Sequence, residues 1–209
     1  MAISPASLNK NSLQNPHFTN NETKKMKKTL LTILLAMTLG KGYAQQIAVG
    51  TDVATDVLMI PSIGAEMTVG NRTTLALNIT GTHNPWGHKI KMLGVQPEYR
   101  YYVSGRTMHK LFVGIGAVAA FYDATIKRKV YDGIAYGGGL TFGYVINLTK
   151  RLNIDIHSGF AAVRYNRKEY YAGDNYNSDY IINGLNKTNA TGYYLMPTRM
   201  GVSITYILK

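Results

Sequence analysis

The amino-acid sequence predicts an all-β fold: an eight-stranded antiparallel up-and-down transmembrane β-barrel following a signal peptide. Three observations carry this expectation. Period-2 alternation of apolar and polar residues recurs throughout the chain after Ala44, with no convincing helical periodicity. The connections between the alternating segments are by turns short and long. Lysine is kept out of the middle of every predicted strand.

The N-terminus is read first because it sets the compartment. From Met26 the chain runs MKKTLLTILLAMTLGKGYAQQ. Lys27 and Lys28 form a charged start, Leu30 to Leu39 an apolar stretch, and Gly42-Tyr43-Ala44 places small residues where a signal peptidase reads. Cleavage after Ala44 is expected, and the apolar run is too short to stay as a membrane-spanning helix. Residues 1–25 are polar and patternless, so Met26 is the expected start and 1–25 a non-structural leader, with a disordered leader as the alternative. The division is therefore 1–25 leader, 26–44 signal peptide and 45–209 barrel. No cysteine is present, which removes disulfides, thiolate metal sites, Cys nucleophiles and lipoprotein anchoring. Of 23 basic residues six precede position 45, as does one of 11 acids, so the remainder carries +7 rather than +12. No basic helix or aromatic-interleaved basic strand appears, and a nucleic-acid partner is not expected.

The strands are expected near 46–54, 61–69, 73–81, 91–103, 110–122, 134–146, 152–165 and 193–208. Tilted by about 40°, segments of this length cross about 25 Å of hydrocarbon. Gly70-Asn71-Arg72, Ser104 to Thr107 and Asn147 to Arg151 read as tight turns. The other connections, about 55–60, 82–90, 123–133 and 166–192, read as longer loops. Short turns on the periplasmic side and long loops outside are the pattern of an outer-membrane barrel. Pro97 falls in mid-strand, where it removes a ladder donor, and a bulge is expected there.

Two faces emerge. Leu93, Val95, Pro97, Tyr99, Tyr101 and Val103 alternate with Gln96, Glu98, Arg100 and Tyr102, and the last strand sets Met196, Thr198, Met200, Val202, Ile204, Tyr206 and Leu208 against Arg199, Gly201, Ser203 and Thr205. Alternation alone does not say which face looks inward, because a soluble barrel would place the apolar row inside. The lysines favour the membrane reading: after the signal peptide they sit only in turns, loops, strand ends or at the C-terminus. Tyr99, Tyr101, Tyr136, Tyr144, Tyr206 and Phe121 then read as interfacial aromatic girdles.

Glu66, Glu98, Arg100, Asp155, His157 and Arg199 are expected on the inner face as a lumen charge network, since isolated charges there would be costly. Eight strands leave an interior that side chains fill, so a wide pore is not expected. A gated ion path or an acid/base pair of Asp155 and His157 is the sharper alternative. His83 and His88 make no recognisable metal or catalytic site, and no cofactor is expected. Gly137-Gly138-Gly139 lacks the following helix of a phosphate loop and reads as room for sheet coiling and bulky lumen neighbours. Loop recognition is assigned to Trp86, Tyr170, Tyr171 and Tyr176, and to the basic tip Lys127, Arg128 and Lys129, whose anionic partner would be lipopolysaccharide or capsule.

With these motifs placed, the stretch from about Asp56 to Tyr171 resembles a family of uncharacterised outer-membrane barrels of Bacteroidales. Asn84-Pro85-Trp86, Val95-Gln96-Pro97-Glu98-Tyr99-Arg100-Tyr101-Tyr102, Tyr131-Asp132-Gly133 with Tyr136-Gly137-Gly138-Gly139 and Gly143-Tyr144, and Arg151-Leu152-Asn153-Ile154-Asp155 with Gly159-Phe160 carry the resemblance. It implies an outer-membrane location, a domain of unknown function sometimes fused to OmpA-like domains, and coding near fimbrial subunits. This chain departs from it in lacking a C-terminal peptidoglycan-binding extension and in carrying Tyr102 and Leu152 where tryptophans are expected. The function expected is a non-enzymatic envelope barrel with a plugged polar lumen, or a surface and fimbria-associated anchor, monomeric, contacting outer-membrane lipid and lipopolysaccharide, with an extracellular or fimbrial protein as partner. A small ion or solute channel is the alternative, and a lipid-modifying enzyme the third reading.

Overall fold

In the computed structural model the described residues are 46–180 and 188–208, apart from the side chains at 177 and 178. The expected leader and signal peptide lie outside the described residues. The strands are β1 (Ile47–Asp52), β2 (Ser62–Thr68), β3 (Thr73–His83), β4 (Ile90–Tyr102), β5 (Lys110–Ile126), β6 (Lys129–Asn147), β7 (Leu152–Tyr171) and β8 (Ala190–Ile207). Two short helices, α1 (Val53–Val57) and α2 (Tyr176–Asp179), sit in connections. Each strand pairs antiparallel with its chain neighbours, and β8 returns to β1 from Asp52↔Ser203 to Ala48↔Ile207, closing the barrel. Closure removes the sheet edges where β1 and β8 meet, while β8 before Ser203 runs on paired with β7.

Which face looks inward is settled by burial. Thr74, Glu98, Arg100, Asn153, Asp155 and His157 are buried on one row, whereas Leu77, Tyr99, Ile115, Leu140, Ile156 and Met200 are exposed on the other. The buried charges lie inside and the outer wall is apolar, the reverse of a soluble barrel. All six aromatic residues assigned to girdles, Tyr99, Tyr101, Tyr136, Tyr144, Tyr206 and Phe121, lie on that outer wall.

The structure corrects the sequence reading at four places. The first strand ends at Asp52 rather than near 54, because the Asp52 carboxylate accepts from the backbone N–H of Ala54 (3.0 Å) and Thr55 (3.4 Å) and starts α1. The connection expected at 123–133 is no loop. β5 and β6 stay paired up to Ile126↔Lys129, and the two-residue turn Lys127-Arg128, with φ of 48° and 68°, joins them. Positive φ at both central residues is the geometry that matches the twist of a hairpin. The rule of long outer loops therefore fails at its third member.

Pro97 makes no bulge. Its register with Leu77 is unbroken, and Val95↔Ala119 and Glu98↔Gly116 keep one register on the other side. The irregularity lies at the other strand proline. Gly159 pairs with Arg199 but Phe160 with Pro197, so Thr198 has no opposite number. That extra residue changes the parity of β8. Met196, expected on the outer row, pairs with buried Ala161 and faces the lumen, while Leu195 becomes an outer-wall residue, 80% exposed.

Candidate functional site

The lumen holds the densest chemistry of the described residues, and β-pairing explains how it is assembled. Ala76↔Glu98 and Thr74↔Arg100 place β4 charges beside β3, while Glu66↔Ala76 places Glu66 one strand further on. Because partners share a face, these side chains converge on the barrel axis. Arg100 is the hub. Its Nε donates to Glu98 Oε2 (2.8 Å), and its Nη1 donates to Glu66 Oε2 (2.9 Å) and Asp155 Oδ2 (3.1 Å). Arg199 Nη1 donates to Glu98 Oε1 (3.2 Å) and its Nη2 to Ser203 Oγ (3.3 Å). His157 turns Nε2 to Asp52 Oδ2 (2.9 Å) and Nδ1 to the Asp155 carbonyl (3.2 Å).

All six residues expected in the network, Glu66, Glu98, Arg100, Asp155, His157 and Arg199, thus lie in contact with one another or through a shared partner. Sequence reasoning missed Asp52, which sat in a segment read as plain strand. It also missed Tyr102 as a member. Its hydroxyl donates to Glu66 Oε1 (2.6 Å), as does that of Thr74 (2.6 Å). The inner-row position of Tyr102 was a usable signal, overshadowed by its reading as a substituted tryptophan. Four carboxylates face two guanidiniums and one imidazole here; Arg100 and His157 are each shared between carboxylates, and Arg199 is held by Glu98. Such an arrangement holds only if each charge keeps its hydrogen bonds.

Beneath the charges the lumen is packed with buried side chains. The Arg100 guanidinium lies 4.5 Å from the Phe112 ring centroid, and Tyr102 packs against Phe112 at 5.5 Å. Tyr102, Phe112 and Val145 form a fully enclosed apolar cluster. Gly143 permits it: a Cβ there would come within 2.6 Å of the Phe112 ring. The turn between β4 and β5 folds under this cluster, burying Thr107 and Met108, and Asn147 Nδ2 donates to the Met108 carbonyl (3.0 Å).

The residues assigned to loop recognition are dispersed. Trp86 lies on a 3-10 turn (Pro85–Gly87) at φ 52° and is 67% exposed. Lys127 and Arg128 form the hairpin tip, but Lys129 is inside β6 and donates to Glu169 Oε2 (2.6 Å). Tyr170 packs on Tyr176 (5.2 Å) and Tyr176 on Tyr180 (5.3 Å), so Tyr176 is buried among rings while Tyr171 is exposed. Among the described residues no group of three His, Asp or Glu side chains is arranged to hold a metal ion. Ser203 serves Arg199, and the Ser62 hydroxyl accepts from the Asp52 N–H (2.8 Å), so neither serine stands against His157 as a nucleophile.

A family model described as Protein of unknown function (DUF3575) matches residues 29–208. The chain belongs to the DUF3575 family. The match spans the whole barrel, so lumen network and closure are both features of a member of this family. No curated protein and no solved structure matches the chain.

Proposed function

We propose that this DUF3575 member is an outer-membrane β-barrel of a Gram-negative bacterium of the Bacteroidales type, exported behind a signal peptide cleaved after Ala44. In this reading it has no enzymatic role and acts as an envelope structural protein, or as a surface or fimbria-associated anchor, through its outer connections. The observation that carries the membrane reading is the inverted polarity of the barrel: buried charges inside and a continuous apolar wall outside. The structural role is supported by the lower lumen, where Arg100, Tyr102, Phe112 and Met108 are buried. The connections 69–72, 103–109 and 148–151 face the periplasm, and the opposite end carries the tall hairpin and the Tyr-rich segment.

The test combines three measurements on the native protein. The protein is expected in the outer-membrane fraction with Gln45 as its first residue. It should migrate faster on a gel before heating than after, as folded barrels do. In planar bilayers it should produce no single-channel steps. Recovery in the soluble fraction would overturn the membrane reading, and reproducible conductance would replace the anchor with a channel.

A further inference from the structure

Above the charge network the lumen changes character. The rows Gly94–Ala120–Ala135 and Val118–Gly137–Val163 cross the barrel with small side chains, and they leave a cavity of about 460 Å³ open toward the outer end. Most of its wall is apolar, built by Met92, Val118, Ala120, Ala135, Val163 and Met196, with Asn78 and Thr80 on the β3 side. Met196 faces inward only because of the bulge at Thr198. The volume is that of a small-molecule site. Apolar wall facing open water is unfavourable, at about 25 cal/mol per Å², and this barrel fills its lower half with side chains but not its upper.

The two ends of the cavity differ. At the floor the charged groups are engaged: Gln96 Nε2 donates to Glu98 Oε1 (2.9 Å), Arg199 to Glu98 and Ser203, and Asp52 accepts from His157 and Ala54. A hydrocarbon resting there would strand no charge. At the rim stand Tyr122, Tyr165 and Arg167. Glu169 is shared by Arg167 (2.7 Å) and Lys129 (2.6 Å), so the inner face of the rim holds two cations for one carboxylate. From Val118 to Tyr122 the apolar wall covers about 13 Å of strand.

We infer that the outer half of the lumen binds a single-chain anionic amphiphile, with its hydrocarbon chain against Val118, Ala120, Ala135 and Val163 and its head at Arg167. The inference needs a closed barrel but not an anchoring role, and it goes beyond the proposed function. The test uses protein purified folded, as its heat-modifiable mobility shows, and placed in lipid nanodiscs. Failure of the membrane reading is then seen before any ligand is added.

Decanoate and decyltrimethylammonium are titrated calorimetrically. Expected is one saturable equivalent of decanoate, absent in Ala120→Trp, which fills the cavity, and no saturable equivalent of the cation. Arg167→Gln, at the rim, should weaken decanoate about tenfold, the scale of one charge-assisted hydrogen bond. If Ala120→Trp loses its gel shift, Ala135→Phe replaces it; if both do, Arg167→Gln decides. The inference is overturned by decanoate heats equal in the wild-type and filled barrels, by equal binding of both head groups, or by an Arg167→Gln variant that binds as the wild type does.

Discussion

Arg100 holds three carboxylates at once while almost wholly buried, and its removal should be felt across the barrel. Arg100→Met keeps much of the volume but leaves Glu66, Glu98 and Asp155 without their common cation. Breaking a buried pair from one side costs about 3–5 kcal/mol, and the loss should appear as a lower urea midpoint for the refolded barrel. Equal midpoints would mean the network adds nothing to stability. At this scale the sequence was most informative where alternation was regular. Glu98 and Arg100 could be placed inside because they share a parity with Gln96 and Tyr102. Asp52 could not be placed, because its role comes from a helix start that no periodicity announces and from His157, far away in the chain.

At the scale of elements, the tall hairpin of β5 and β6 shows why loop lengths were misjudged. Polar residues such as Asp123, Thr125 and Asp132 alternate above the apolar wall and resemble loop composition, yet they continue the ladder in water. Lys127 and Arg128 adopt a left-handed backbone that Asn and Gly tolerate better. Replacing the pair by Asn-Gly should stabilise the barrel by up to about 1 kcal/mol, measurable by urea unfolding.

Next to this turn, the Lys129 ammonium and then the Arg167 guanidinium hold the Glu169 carboxyl below its ordinary value of 4.5. A carboxyl depressed in the folded state contributes its full stabilisation above the ordinary value and loses it as pH falls through the lowered one. Backbone amides at the top of β6 and β7 should therefore exchange hydrogen faster, after correction for intrinsic rates, on acidification below pH 4.5. In Glu169→Gln that pH dependence should be gone. The bulge at Thr198 was equally hidden. Two prolines, Pro97 and Pro197, stood in the middle of expected strands, and only the register with the neighbouring strand decides which of them carries the irregularity.

For the molecule as a whole, the eight-stranded antiparallel barrel was legible because a period of two and its turns repeat along the chain, and each repeat constrains the same closed sheet. The lumen's contents were legible as a set of inward charges, but its division into a sealed lower half and an open upper half was not. That division depends on which small residues fall in one cross-strand row, and the register is not visible in a single sequence. The seal makes a prediction at this scale. The double change Tyr102→Ala and Phe112→Ala removes the two largest fully buried side chains below Arg100. It should introduce single-channel steps in planar bilayers, where none are expected of the wild type. Silence from a folded double variant would place the barrier in the charge network above.

Strand lengths around the ring are far from equal: β1 and β2 run for 6 and 7 residues, but β6, β7 and β8 for 19, 20 and 18. The outer mouth is consequently slanted, like a cylinder cut on the bias. One side is a parapet of paired strands, and the other is a low sill formed at α1 and the turn bearing Trp86. Trp86 therefore stands on the low side of the ring, where the described strands are shortest, rather than on a tall free-standing loop.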